Sequence, residues 1–366
     1  MRIASLEVRS YRYPFDPPFA AAWDPRPRRF LAETIVSVET DEAVTGYCGG
    51  APVPDVDLLR SLLIGLALDD TERIFAICET VDFHGGRNWT VEVAVWDTLA
   101  RAAGLPLWKF LGGERDRYPI YQSTGERVGA SERVERLLAA QEIGISAAKI
   151  RLGSDWRKDM KVVEQARLAI GRPFQLMVDA NQGWRMPGDV TPRWDLATAQ
   201  ECLSLCDELG IYWLEEPLDP ARLEDYAKLA SPSGTRIAAG EMVRNLDASH
   251  RLMEVVDIIQ TDVVLAGGVE GCRQVARWVE ESSIQWSPHT WSTGFGLLAN
   301  LHVALAFSKA PYLEYPFDPP AWTEQRRDFM LPEPLGLDNE GNLMAPIGPG
   351  MGVVPDFDRL EQWRVG

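Results

Sequence analysis

Apolar positions change their period twice along the chain. From Arg2 to Arg12, Glu33 to Thr40 and Thr45 to Cys48 they alternate with polar ones, the two-residue period of half-buried strands. From Asp57 to Leu66, Thr71 to Thr80 and Trp89 to Ala103 they recur at helical spacing. Strands followed by helices predict a small α+β unit over residues 1–117. Between its first two strands lies a proline-rich stretch, about residues 14–29, carrying Phe15, Phe19, Trp23, Arg26, Arg28 and Arg29. Its length and aromatic content suit a lid loop.

From Tyr118 onward short apolar runs alternate with amphipathic helices. Strands are predicted at Tyr118–Gln122, Ala147–Arg151, Gln175–Asp179, Ile211–Glu215, Arg236–Glu241, Ile258–Asp262, Ile284–Ser287 and Tyr312–Glu314. The helix after the third has Asp195 as N-cap, a stripe of Leu196, Ala199, Leu203 and Cys206, and Gly210 to end it. Eight such units over residues 118–330 predict an α/β fold, a (β/α)8-type barrel with its chemistry at the C-terminal strand ends. The proline- and glycine-rich tail, residues 331–366, is predicted to pack back on the first unit.

Composition narrows the partners. A formal net charge of −17 argues against nucleic acid and anionic membrane surfaces. It also means that an acidic substrate needs local cations or a metal to reverse the field. Five scattered cysteines without zinc-type spacing suit reduced thiols in a cytoplasm. No signal peptide is read at the N-terminus, and the most apolar stretch, Gly296 to Phe307, carries Asn300 and His302, so no membrane span is expected.

The polar residues at the predicted strand tips are Lys149 and Arg151, then Asp179, Glu215, Glu241, Asp262, His289 and Glu314, with Asn181 just past the third tip. Successive steps from 149 lie between 21 and 36 residues, each about one βα unit. Singly, each acid reads as a helix cap or a surface salt bridge, and a lone histidine reads as structural, which is the reading kept for His84, His250 and His302. Together they predict a site. Asp179, Glu215 and Glu241 are hard oxygen ligands suited to Mg²⁺, with Mn²⁺ as competitor. Lys149 and Arg151 share a strand face and flank the substrate. His289 approaches from the other side as a base, its tautomer fixed by Asp262. Glu314, if burial keeps it protonated, donates to a developing enolate oxygen. A base facing a metal-bound carboxylate predicts removal of the α-proton of a carboxylic acid.

These residues resemble the mandelate racemase-like subgroup of the enolase superfamily, whose sites stabilise enediolates with Mg²⁺. The likeness extends to Val93-Ala-Val-Trp-Asp97, Gly104-Leu-Pro-Leu-Trp108, Asp179-Ala-Asn-Gln-Gly-Trp184, Leu214-Glu-Glu-Pro217, Gly267-Gly-Val269 and Ser287-Pro-His-Thr-Trp291. It implies an N-terminal capping unit whose loop closes over the barrel, Mg²⁺ on Asp179, Glu215 and Glu241, a His289–Asp262 dyad, an eighth-strand acid at Glu314, and assembly as a homo-oligomer. One departure is Arg151, where a racemase of this subgroup has a second catalytic lysine. An arginine stays protonated and clamps rather than accepts protons. One-base chemistry through His289 is left, which predicts a hydro-lyase: an acid-sugar dehydratase giving a 2-keto-3-deoxy acid. A lactone cycloisomerase or an epimerase is the alternative within the family, and a noncatalytic carboxylate-binding barrel the alternative of another class. Substrate choice is expected to rest on Trp23, Arg26 and Arg28 of the lid and on Trp184, Trp291 and Trp322, with Asn181 close to the metal.

Overall fold

The structure, a computed structural model, describes residues 1–229 and 234–366. The N-terminal unit contains β1 (Ile3–Phe19), β2 (Arg28–Thr40), β3 (Thr45–Gly50), α1 (Val56–Leu63), α2 (Thr71–Gly85), α3 (Trp89–Ala102) and α4 (Leu107–Phe110). There follow β4 (Arg117–Ser123), α5 (Ala130–Glu142), β5 (Ala147–Arg151), α6 (Trp156–Ile170), β6 (Gln175–Asp179), α7 (Leu196–Leu209), β7 (Trp213–Glu215), α8 (Leu223–Tyr226), β8 (Arg236–Ala239), α9 (Leu246–Met253) and β9 (Ile258–Ile259). The chain continues through α10 (Gly268–Glu280), β10 (Gln285–Trp286), α11 (Gly294–Phe307), β11 (Leu313–Pro316), α12 (Glu324–Arg327), β12 (Asn342–Met344), α13 (Phe357–Leu360) and β13 (Arg364–Val365).

β1, β2 and β3 form an antiparallel sheet, and β13 of the tail pairs with β1 through Ser10 and Tyr11. The second sheet runs β10-β9-β8-β7-β6-β5-β4-β11 in parallel, with β12 antiparallel on β4. Pairing of β11 with β4 brings the last parallel strand beside the first. No backbone ladder joins β10 to β11 among the described residues. Side chains cross that seam instead: Ser287 Oγ donates to Tyr312 O (3.0 Å) and Thr290 Oγ1 to Glu314 O (2.5 Å). The result is a curled parallel sheet inside a ring of helices. Tyr121, Ala147, Met177, Trp213, Ala238 and Ile258, one from each of six successive strands, fill its interior with a small apolar cluster. On β5, β6 and β7 the tip residues lie two positions further along, on the same face, so this cluster is the floor of the site.

Two strands run further than alternation predicts. β1 continues to Phe19 and β2 begins at Arg28, so the connection shrinks from 14–29 to residues 20–27. Prolines 14, 17 and 18 are tolerated because, among the described residues, this end of β1 has a strand partner on one side only. Phe15 and Phe19 are buried against Trp322, which repays extension. α7 starts on Asp195, whose side chain accepts from Thr198 N, and ends at left-handed Gly210 (φ 62°).

His302, in the middle of α11, ties three segments together. Its Nδ1 accepts from Trp108 N (3.2 Å) and its Nε2–H donates to Met351 O (3.3 Å). Full burial pushes its pKa down from 6.5 to about 4. Below pH 6.5 the unfolded chain therefore binds a proton that the folded one refuses, and stability falls as pH drops toward 4. Between pH 7.5 and 5 this residue is expected to withdraw about 2 kcal/mol. Urea denaturation of wild type and His302→Asn at both pH values reads it as the difference between the two chains' losses. The difference is needed because buried Glu92, whose carboxyl is pushed up to about 7 by burial, titrates in the opposite sense.

Candidate active site

Register brings the carboxylates together. Arg151 on β5 is level with Asp179 on β6, and Asp179 with Glu215 on β7. Glu241 lies two residues beyond the end of β8, past Gly240, whose φ of 107° and contact with Ile259 leave no room for a Cβ. Oxygens of Asp179, Glu215 and Glu241 lie within 4.8 Å of one another, and all three residues are buried.

Cations stand behind these acids. Lys149 Nζ is 2.5 Å from Glu215 Oε1, 2.9 Å from Glu314 Oε1 and 3.6 Å from Asp179 Oδ2. Arg151 Nη1 donates to Asp179 Oδ2 (2.6 Å) and Nε to Thr124 O (2.9 Å). Trp23 covers the Arg151 guanidinium at 4.3 Å and Trp291 at 5.0 Å. Arg151 thus holds a ligand carboxylate with its edge and packs against two indoles. Lys149 is fully buried among the acids.

His289 sits opposite. Its Nδ1–H donates to Asp262 Oδ2 (2.9 Å), and its Nε2 lies 3.4 Å from Glu241 Oε2. Asp262 in turn accepts at Oδ1 from Val264 N (2.7 Å), Leu265 N (3.1 Å) and Asn300 Nδ2 (3.3 Å). Burial opposes a charge on His289, but Glu241, Glu314 and Asp262 outweigh it and push the imidazole up to about 9. The Asp262 contact fixes its tautomer, and a cation on Glu241 would offset the largest of these pulls and return the ring toward the unprotonated form that a base requires.

Glu314 differs from expectation. Burial alone raises a carboxyl, yet Lys149, His289 and Arg151, with the Ser123 hydroxyl donating at 2.6 Å, hold it well below the usual range. It is an ionised counter-charge, not a protonated donor. Glu215 moves the other way: burial pushes it up, Lys149 opposes, and Asp179, Glu314 and Glu241 add to the rise.

The donor set fits a hard divalent cation. Four buried carboxylates, Asp179, Glu215, Glu241 and Glu314, face two fixed cations, Lys149 and Arg151, leaving an excess of two negative charges when all are ionised. One divalent ion cancels it. Glu241 Oε2 is buried without a hydrogen-bond partner among the described residues, an oxygen with lone pairs to spare beside the other two ligands.

A cavity of about 330 Å³ opens onto Glu241, Arg151 and His289. Trp23, Arg28, Trp184 and Trp291 line it, while Trp322 is buried behind Trp291. Arg26 is exposed and lines neither this cavity nor its neighbour of about 540 Å³, which Asn181, Trp184 and Trp194 border. Asn181 adopts a left-handed φ of 51°, and both polar atoms of its side-chain amide are buried without hydrogen-bond partners among the described residues. Glu216, next to a ligand, is also left-handed (φ 42°) and buried, the strain expected where function over-determines backbone. Sequence reasoning misses Ser123, Thr290 and Trp213 as partners of the acids. It also leaves Asn300 unassigned, although a lone amide in the most apolar helix signals a buried hydrogen bond.

Residues 130–359 match the family model described as enolase C-terminal domain-like. The chain belongs to the enolase superfamily. Its likeness is to the mandelate racemase-like members. D-galactarolactone cycloisomerase of Agrobacterium fabrum is 28% identical over 100% of this chain and 99% of its own length. Arabinonate dehydratase of Saccharolobus solfataricus is 27% identical over 75% of this chain and 71% of its own. A racemase from Streptomyces coelicolor A3(2), solved with bound magnesium, superposes with a TM-score of 0.84 at 24% identity, covering 99% of this chain and 100% of that one. The two named relatives are thus a lyase and an isomerase that act on a sugar acid and on a sugar-acid lactone. Among the described residues no helix is long and apolar enough to cross a membrane.

Proposed function

We propose that this enolase-superfamily member is an acid-sugar dehydratase that abstracts the α-proton of an aldonate or aldarate and eliminates the β-hydroxyl as water. The observation that carries the reading is the placement of a buried, Asp262-held imidazole 3.4 Å from Glu241, across from Lys149 and Arg151. We read the curled sheet as a (β/α)8 barrel over residues 118–330, capped by residues 1–117 and by the tail 331–366. Five buried free cysteines suit a cytoplasmic location, and the resemblance suits a homo-oligomer.

Asp179, Glu215 and Glu241 would hold Mg²⁺, or Mn²⁺ in its place. Bound there, the ion would supply Lewis-acid stabilisation of the enediolate. His289 Nε2 takes the α-proton, and the electron pair passes into the carboxylate. Asp262 steadies the imidazolium that forms. Collapse of the enediolate expels the β-hydroxyl, to which His289 returns its proton, so that water leaves and the enol ketonises to a 2-keto-3-deoxy acid. Lys149 and Arg151 favour the ionised form of the ligand carboxylates. Arg151, locked on Asp179 and permanently protonated, is a poor second base, which disfavours racemisation.

The full-length match to a cycloisomerase favours one second reading, opening of a sugar-acid lactone through the same enediolate. Product analysis separates the two. Incubation with a panel of diastereomeric aldonates, aldarates and lactones is expected to yield a 2-keto-3-deoxy acid from at least one open-chain acid. Products from lactones alone would favour cycloisomerisation, and binding without turnover of any would favour a noncatalytic barrel.

A further inference from the structure

Each of the three proposed ligands receives one neutral N–H on one oxygen. Asp179 Oδ1 accepts from Asn181 N (2.8 Å), Glu215 Oε2 from Trp213 Nε1 (3.0 Å), and Glu241 Oε1 from Trp184 Nε1. The other oxygen of Asp179 and of Glu215 faces a cation, and that of Glu241 lies 3.4 Å from His289 Nε2 with no hydrogen bond among the described residues. We infer that Trp213 and Trp184 are positioning residues that fix the rotamers of two metal ligands. The inference rests on the proposed cation site and concerns residues that do not themselves touch it.

The physical case is one of charge. Lys149 and Arg151 also hold carboxylates, but each brings a positive charge that opposes an incoming cation. An indole N–H orients a carboxylate and leaves its charge intact. Trp213 is placed for this by strand period alone, two residues before Glu215 on one face, with its ring set edge-on against Tyr121 at 5.1 Å. Trp184 needs a shaped loop. A Cβ on Gly183 would collide with the Glu216 carboxylate, and Arg185 pins the turn by donating to Asn181 O (2.8 Å) and Trp184 O (2.9 Å). That turn carries the indole from the end of β6 to the ligand beyond β8.

The test is calorimetric titration of the whole chain with Mg²⁺, without substrate, for wild type, Trp213→Phe and Trp184→Phe. Trp286→Phe serves as control, since it removes a buried indole of β10 bonded to Thr261 O (3.0 Å), just past the end of β9. Each of the first two substitutions is expected to raise Kd by about 10- to 100-fold, and the control to leave it within about twofold. Activity of Trp213→Phe should return when the cation is raised to saturation, which a packing defect would not allow. Folded Trp213→Phe with wild-type Kd would overturn the role of Trp213. Should that variant fail to fold, Trp184→Phe, in a half-buried loop, decides by the same criterion. A wild-type chain that takes up no divalent cation would overturn the proposed function together with this inference, whereas normal uptake with unchanged variants would overturn the inference alone.

Discussion

His289→Asn is expected to slow solvent-deuterium exchange at the α-carbon of a turned-over sugar acid by about 10³- to 10⁴-fold, in the upper range that a positioned general base supplies. Asparagine keeps an N–H for Asp262 but has no basic nitrogen. Metal affinity should be little changed, because His289 is not one of the three proposed ligands. Exchange measured by NMR in D2O, beside a calorimetric Kd, separates the two effects. Full exchange in the variant would remove His289 from the chemistry.

Glu241→Gln is the second large effect. Loss of a ligand is expected to weaken cation binding by more than about 100-fold, beyond the cost of losing a supporting hydrogen bond. Activity should fall by at least about 10³-fold, since the enediolate loses its electrophilic support. The fold should not suffer. The substitution relieves one of two excess negative charges, so the metal-free variant should denature at or above the wild-type midpoint in urea with EDTA. A lower midpoint would mean that Glu241 is held by its neighbours as a structural acid.

The ligand set is legible because each acid closes an apolar strand and the tips recur at βα-unit spacing, two regularities that one chain displays without its neighbours. Asp179 and Glu215 then fall level by register, as alternation implies. What alternation lacks is cross-strand chemistry. Burial alone favours a proton on Glu314, whereas its charge is decided by Lys149, Arg151 and Ser123 on other strands. Two residues from Lys149 on one strand, Arg151 reads as a substrate clamp and does border the cavity, but its contacts with Asp179, Thr124, Trp23 and Trp291 carry no signal, since none of the four is near it in sequence. The connection between β1 and β2 is shorter than its prolines suggest, because an unpaired strand edge accepts proline where a strand with partners on both sides does not. The seam between β10 and β11 has no sequence mark at all, since each strand is only a few residues long.

All of this chemistry requires a single hard cation among Asp179, Glu215 and Glu241, beside His289. Crystals soaked in Mn²⁺ and measured for anomalous scattering locate it directly. One strong peak is expected within bonding reach of all three carboxylates. Stoichiometric Mn²⁺ with its peak elsewhere, or crystals in which the three acids hold no ion, would refute the proposed site.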